Sequence, residues 1–147
     1  MGNTRELTAY RETDVQSASP VELVITLYDV LVRDMNRMMT AIHAGDIEDR
    51  VNHSNHALQV LQELECLLDM EKGGSTAKDL SRFYSHLRAK VLQVQFKLDP
   101  AMIKRQMEMV LELRQGWVEA MAVPLVRVVP VPVSYGGVEE GRCCWSA

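Results

Sequence analysis

The chain has 147 residues, 47% hydrophobic and 24% charged, with a formal net charge of −4. That mix fits one globular domain and leaves no basic footprint for nucleic acid. No apolar run approaches the roughly 18 residues of a membrane span, and Arg5, Glu6, Arg11, Glu12 and Asp14 interrupt the apolar centre that a signal peptide needs. The expectation is a cytoplasmic protein without nucleic-acid or membrane partners.

Residues 1–16 carry only scattered apolar side chains, Leu7, Ala9, Tyr10 and Val15, and read as a flexible arm. Ser19, Pro20 and Glu22 then spell a helix start: a serine N-cap, a proline whose missing N–H costs nothing at the first position, and a glutamate that closes the capping box. Val24, Tyr28, Leu31, Met35, Met38 and Ile42 follow at steps of four and three, the seam of a helix in a bundle. In the first three turns Val21 and Ile25 widen that seam on one side and Leu23, Leu27 and Val30 on the other. The apolar arc there spans roughly 220°, against the 100° or so that a surface helix needs. Asp34 and Arg37 take over the second flank further on, so the surplus is local and calls for an apolar cover.

Gly45 suits the left-handed residue that ends this helix after about Ala44. The short connection that follows forces an antiparallel neighbour. Helix two starts near Asp46 to Asp49, buries Ala57, Leu61, Leu64 and Leu68 with Val60 and Leu67 beside them, and stops at Gly73 and Gly74. Helix three, from Thr76 or Ala77 to Leu98, repeats the seam with Leu80, Tyr84, Leu87, Val91, Val94 and Leu98, leaving Leu92 and Phe96 on the watery side. Helix four opens at Asp99-Pro100 and carries Ile103, Met107, Val110, Trp117 and Met121; Arg114 interrupts the stripe, its long stem suited to reach water or an acidic partner. Beyond Met121 three prolines, Pro124, Pro130 and Pro132, exclude a helix, and the Val-rich alternation suits an extended segment. The predicted fold is all-α: an antiparallel up-down four-helix bundle over 17–121, a flexible N-terminal arm over 1–16 and a non-helical tail over 122–147.

Enzymatic chemistries find little support. A di-iron bundle needs two inward Glu-x-x-His pairs, which the sequence lacks. Asp49, His53 and His56 share a helix face and have metal-ligand types, but no fourth ligand is evident, and His53 at the core margin with a solvated His56 is the simpler reading. The three cysteines, Cys66, Cys143 and Cys144, are odd in number with two adjacent, and imply neither a disulfide framework nor a zinc site. Cys66 has no histidine nearby in sequence, and Gly73-Gly74 lacks a phosphate-binding context. The expectation is a binding protein with no cofactor, no metal and no catalytic residues.

Ala9-Tyr10, SASPVEL at 17–23 running into LYD at 27–29, LDMEKGG at 68–74, Leu80 with Tyr84, and Trp117 resemble the FliS family of flagellar export chaperones over about residues 9 to 121. The resemblance implies a small helical chaperone that binds the disordered C-terminal segment of flagellin, prevents its polymerisation in the cytoplasm, helps deliver it to the flagellar type III export apparatus, and releases it without ATP. It also implies that the chaperone's own N-terminal arm, with its tyrosine, covers apolar surface when the client is absent. The partner-binding residues expected on this basis are Tyr10, Leu23, Leu27 and Tyr28, with Ala57, Leu61, Leu64, Tyr84 and Leu87 as additions. Leu61, Leu64 and Leu87 lie in helix seams and fit a core role equally well. The chain departs from the family in its Val- and Pro-rich tail, where a short polar end is usual, and in His56, where a basic residue is common. The implied state is a monomer or weak homodimer; the alternative is a self-associating helical scaffold or adaptor that buries the surplus face of helix one against a second copy.

Overall fold

The computed structural model describes residues 19–122. They form four helices: α1 Pro20–Ala44, α2 Ile47–Cys66, α3 Gly74–Gln93 and α4 Pro100–Ala122. Each of α2, α3 and α4 packs beside its predecessor, and α4 returns to α1, so α1 and α3 face each other across a square, up-down bundle. The N-terminal arm and C-terminal tail expected from the sequence lie outside the described residues.

The helix ends follow local chemistry. Ser19 Oγ accepts the Glu22 N–H at 3.2 Å and the Ser19 N–H donates to the Glu22 carboxylate at 3.0 Å, completing the capping box. Gly45 closes α1 with φ +69°, a conformation that costs other residues a Cβ clash. Asp46 caps α2 by accepting the Asp49 N–H, and Asp99 Oδ1 accepts the N–H groups of Ala101 and Met102 at the start of α4.

Two helices are shorter than their periodicity predicts. α2 ends at Cys66 and does not run to the glycines: Asp69 Oδ1 accepts the N–H groups of both Glu71 and Lys72, and that side-chain turn competes with further helix. Gly74, at φ +54°, opens α3. α3 stops at Gln93, not Leu98. The tighter bonds Gln95 N–H to Leu92 C=O and Phe96 N–H to Gln93 C=O turn the chain, and Pro100 bars its neighbour Asp99 from the helical region. Leu98, predicted in the seam, is exposed in consequence. Cys66, for which the cysteine count suggested no framework, is disulfide-bonded.

The core is the set of seams. Val24, Tyr28, Leu31, Met35 and Met38 from α1 meet Ala57, Val60, Leu61 and Leu64 from α2, Leu80, Tyr84, Leu87 and Val91 from α3, and Met102, Ile103 and Val110 from α4. At its centre two tyrosine hydroxyls bond across the square, Tyr28 Oη to Tyr84 Oη at 2.6 Å, and the Trp117 indole N–H donates to Tyr28 Oη at 3.2 Å. The two phenol rings meet edge to face, 6.4 Å apart. Three helices are thereby tied at one polar point inside an apolar interior, where an unpaired hydroxyl would cost about 1–3 kcal/mol. At the periphery, Arg88 of α3 bonds Glu65 of α2 at 2.9 Å and His86 of α3 meets Gln106 of α4 at 3.1 Å.

Removing the N-cap hydroxyl by Ser19→Ala leaves the Glu22 N–H without its acceptor and is expected to lower stability by about 1 kcal/mol, read as a shift of the urea midpoint at unchanged slope. The tyrosine pair gives a pH signature. Burial pushes the Tyr28 hydroxyl up to about 12, and burial, then the neighbouring Tyr28, raises Tyr84 further. A folded-state pKa above the unfolded value of roughly 10 means that this contribution is intact below pH 10 and is lost as pH rises toward 12. Between pH 8 and 11 the protein is expected to lose on the order of 1 kcal/mol more than a Tyr28→Phe/Tyr84→Phe double variant, measured by denaturant unfolding at both pH values. Equal losses would mean that water reaches the pair.

Candidate partner-binding surface

The surface begins with the geometry of α1. With Tyr28 pointing inward, 100° per residue sets Leu23, Leu27, Val30 and Asp34 on one flank and Val21, Ile25, Asp29 and Val32 on the other. The second flank turns to α4: the Arg114 guanidinium grips Asp29 in two places, Nε to Oδ1 at 2.5 Å and Nη2 to Oδ2 at 3.2 Å. Arg114 thus finds the acidic partner that its position in the stripe suggested, and this contact raises its pKa further.

The first flank turns to α2, and its apolar part has a sharp end. Asp34 is only 4% exposed, yet both carboxylate oxygens are satisfied from α2: Oδ1 by His53 Nδ1 at 3.2 Å and Oδ2 by His56 Nδ1 at 2.6 Å. Because a carboxylate only accepts, both imidazoles carry hydrogen on Nδ1. His53 Nε2 also lies 3.3 Å from Asp49 Oδ1. His53 is part-buried at the core margin and His56 is exposed, as the sequence suggests, and both also bond a buried carboxylate on α1 that no local pattern indicated. Among the described residues no cluster of three or more His, Cys, Asp or Glu is arranged to hold a metal.

Between the capping box and Asp34, Leu23, Leu27 and Val30 are half-buried, packed on the core edge with part of each side chain facing out. Of the nine residues expected to bind a partner, these two leucines are the ones left at the surface. Tyr28, Ala57, Leu61, Leu64, Tyr84 and Leu87 are at most 1% exposed and fill the interior. As packed here they are walls of the bundle, and a partner reaches them only if the helices part. Tyr10 lies outside the described residues.

A second apolar opening is one that the sequence reading did not single out. α3 and α4 make the sparsest contact of the four neighbouring pairs, and between them lies a groove of about 540 Å³ lined by Leu80 and Phe83 of α3 and Met109 and Leu113 of α4, with Thr76, Asp79 and Glu112 also lining it. Its signal in the sequence is faint: Phe83 stands beside the α3 seam and Met109 beside that of α4. At the opposite end of the bundle the turn after α3 presents Phe96, 87% exposed, with Leu92 and Leu98. These surfaces offer apolar area and a few charges, which suits binding.

A family model described as "Flagellar protein FliS" matches residues 3–124. The flagellar secretion chaperone FliS of Vibrio cholerae is 29% identical over 115 residues, 76% of this chain and 85% of that protein. The corresponding chaperone of Campylobacter jejuni is 35% identical over 85 residues, 58% of this chain and 66% of that protein. That of Bacillus subtilis is 25% identical over 114 residues, 78% of this chain and 84% of that protein. With a four-helix architecture and a family match running from the N-terminal arm through the last helix, the chain belongs to the FliS family of flagellar proteins.

Proposed function

We propose that this protein is a flagellin-specific export chaperone. It binds the disordered C-terminal segment of flagellin in the cytoplasm, prevents premature polymerisation, and assists delivery to the flagellar type III export apparatus. It uses no cofactor and performs no catalysis. The observation that carries this reading is the half-open apolar flank of Leu23, Leu27 and Val30 on a helix whose seam is already satisfied by the bundle. A disordered segment rich in apolar side chains gains by folding against such a surface, and the bond energy recovered offsets the entropy of ordering it. The relatives named as flagellar secretion chaperones supply the class of client.

Mixing the full chain with a flagellin C-terminal peptide in a calorimeter is expected to give a one-to-one complex with a large negative heat-capacity change, the mark of buried apolar area. Absence of heat and of a fluorescence change across the titration would sink the proposal. The flank is separable from the core by substitution. Leu27→Glu is expected to weaken the peptide at least tenfold while leaving the thermal midpoint within a few degrees. Leu61→Ala is expected to cost about 2–5 kcal/mol of stability with little effect on the affinity of the molecules that remain folded. If Leu27→Glu unfolds the bundle as readily as it abolishes binding, Leu27 is core and the flank is not a docking face.

A further inference from the structure

The groove between α3 and α4 is separate from the Leu23–Leu27 flank and opens at the edge of the core, and its floor is apolar: Leu80, Phe83, Met109 and Leu113. Among the described residues its charged lining is acidic, Asp79 from α3 and Glu112 from α4. Met109 is 41% exposed and presents its side chain to the groove.

The chain carries a segment whose chemistry is the complement of this groove. α4 ends at Ala122, and the sequence continues as Val123-Pro124-Leu125-Val126-Arg127-Val128-Val129-Pro130-Val131-Pro132-Val133. Between Ala122 and Glu139 the sole charge is Arg127, positive where the groove is negative. The family match stops at residue 124, so this segment is a property of this chain and outside the matched pattern.

The lengths agree as well. From Leu113 to the end of α4 the helix climbs about 14 Å at 1.5 Å per residue. A chain returning along the outside of α4 covers that distance in about four extended residues at roughly 3.3 Å each. Pro124 bars continuation of the helix at the point where the reversal must occur. A chain that reverses at Ala122 would bring Arg127, five residues on, level with Leu113 and Glu112. The groove runs along α3 from Thr76 to Phe83, about 10 Å, which three or four extended residues fill. Pro130 and Pro132 hold such a segment extended at low entropic cost, and proline-bearing strands of this kind settle on aromatic floors such as Phe83.

We propose that residues 127–130 of the chain occupy the α3–α4 groove of their own bundle, with Val129 on Phe83 and Met109 and, on the same face two residues earlier, the Arg127 guanidinium against Asp79 and Glu112. The groove is thereby closed in cis. The test uses trypsin on the full chain with the Cys66 disulfide reduced and the thiols blocked, because Arg127 and Arg142 are both cleavage sites in the tail and proteases need several residues of freely extended backbone. In the native protein, cutting after Arg127 is expected to be slow. Met109→Glu, which places a charge on the groove floor at an already exposed position, is expected to speed that cut at least tenfold with no change in the rate after Arg142, circular dichroism confirming that the helices persist. Glu112→Lys on the exposed rim is expected to act in the same direction by severalfold, more at low salt than at high. The same rate after Arg127 in native and both variant proteins overturns the assignment. Protection that disappears on dilution, together with a dimer in the ultracentrifuge, also overturns it, because the occupant is then the tail of a second copy.

Discussion

A tyrosine hydroxyl in a dry interior must be paired, and the cross-section of this bundle depends on how Tyr28 and Tyr84 meet that demand. Their Oη atoms lie 2.6 Å apart on helices that face each other diagonally, with Trp117 of a third helix donating to the same point. Purely aliphatic seams tolerate sliding by a turn, since one leucine replaces another at similar cost. A polar contact among three helices does not, because a one-turn slip strands hydroxyls in hydrocarbon. The rotation of α1 follows from this, and with it the division of its surface into an inner face and two flanks.

The two flanks are fastened by opposite chemistry. Toward α4 the bidentate Arg114–Asp29 pair lies in partly solvated surroundings, where its contribution is modest but its geometry is specific. Toward α2 the Asp34 carboxylate is buried and depends on two imidazoles for both of its oxygens. Losing either histidine leaves an unsatisfied charge, which is costlier than losing a surface pair. On the flank of α1 that turns to α2, what remains apolar and half-open lies between that carboxylate and the N-cap, which is why Leu23, Leu27 and Val30 form a bounded patch.

Much of the fold is legible in the residues because each local cue agrees with the next. Ser19-Pro20 with Glu22, the glycine at 45, Asp99-Pro100 and the four-three seams all specify the same helices, and the structure has them. The failures are where short-range turn chemistry competes with periodicity. Asp69 draws two backbone N–H groups into a turn and ends α2 early, and the i→i+3 bonds before Pro100 remove Phe96 and Leu98 from α3. The site was harder to read for a different reason. A seam position such as Leu61 or Leu87 looks alike whether its partner is a neighbouring helix or a client, and only packing decides; here the bundle fills both. The His53–Asp34–His56 cluster joins residues about twenty positions apart, so no local pattern announces it. An aspartate on the edge of an apolar seam was its one hint.

The position of Asp34 sets a ruler on the molecule. From Leu23 to Val30 is about 10 Å of helix, two turns of a guest helix or three residues of a guest strand, before the surface turns from oil to charge. A tenant of that size gains too little to stay for long, so any long-lived lodger has to wrap around a corner and use ground elsewhere on the bundle.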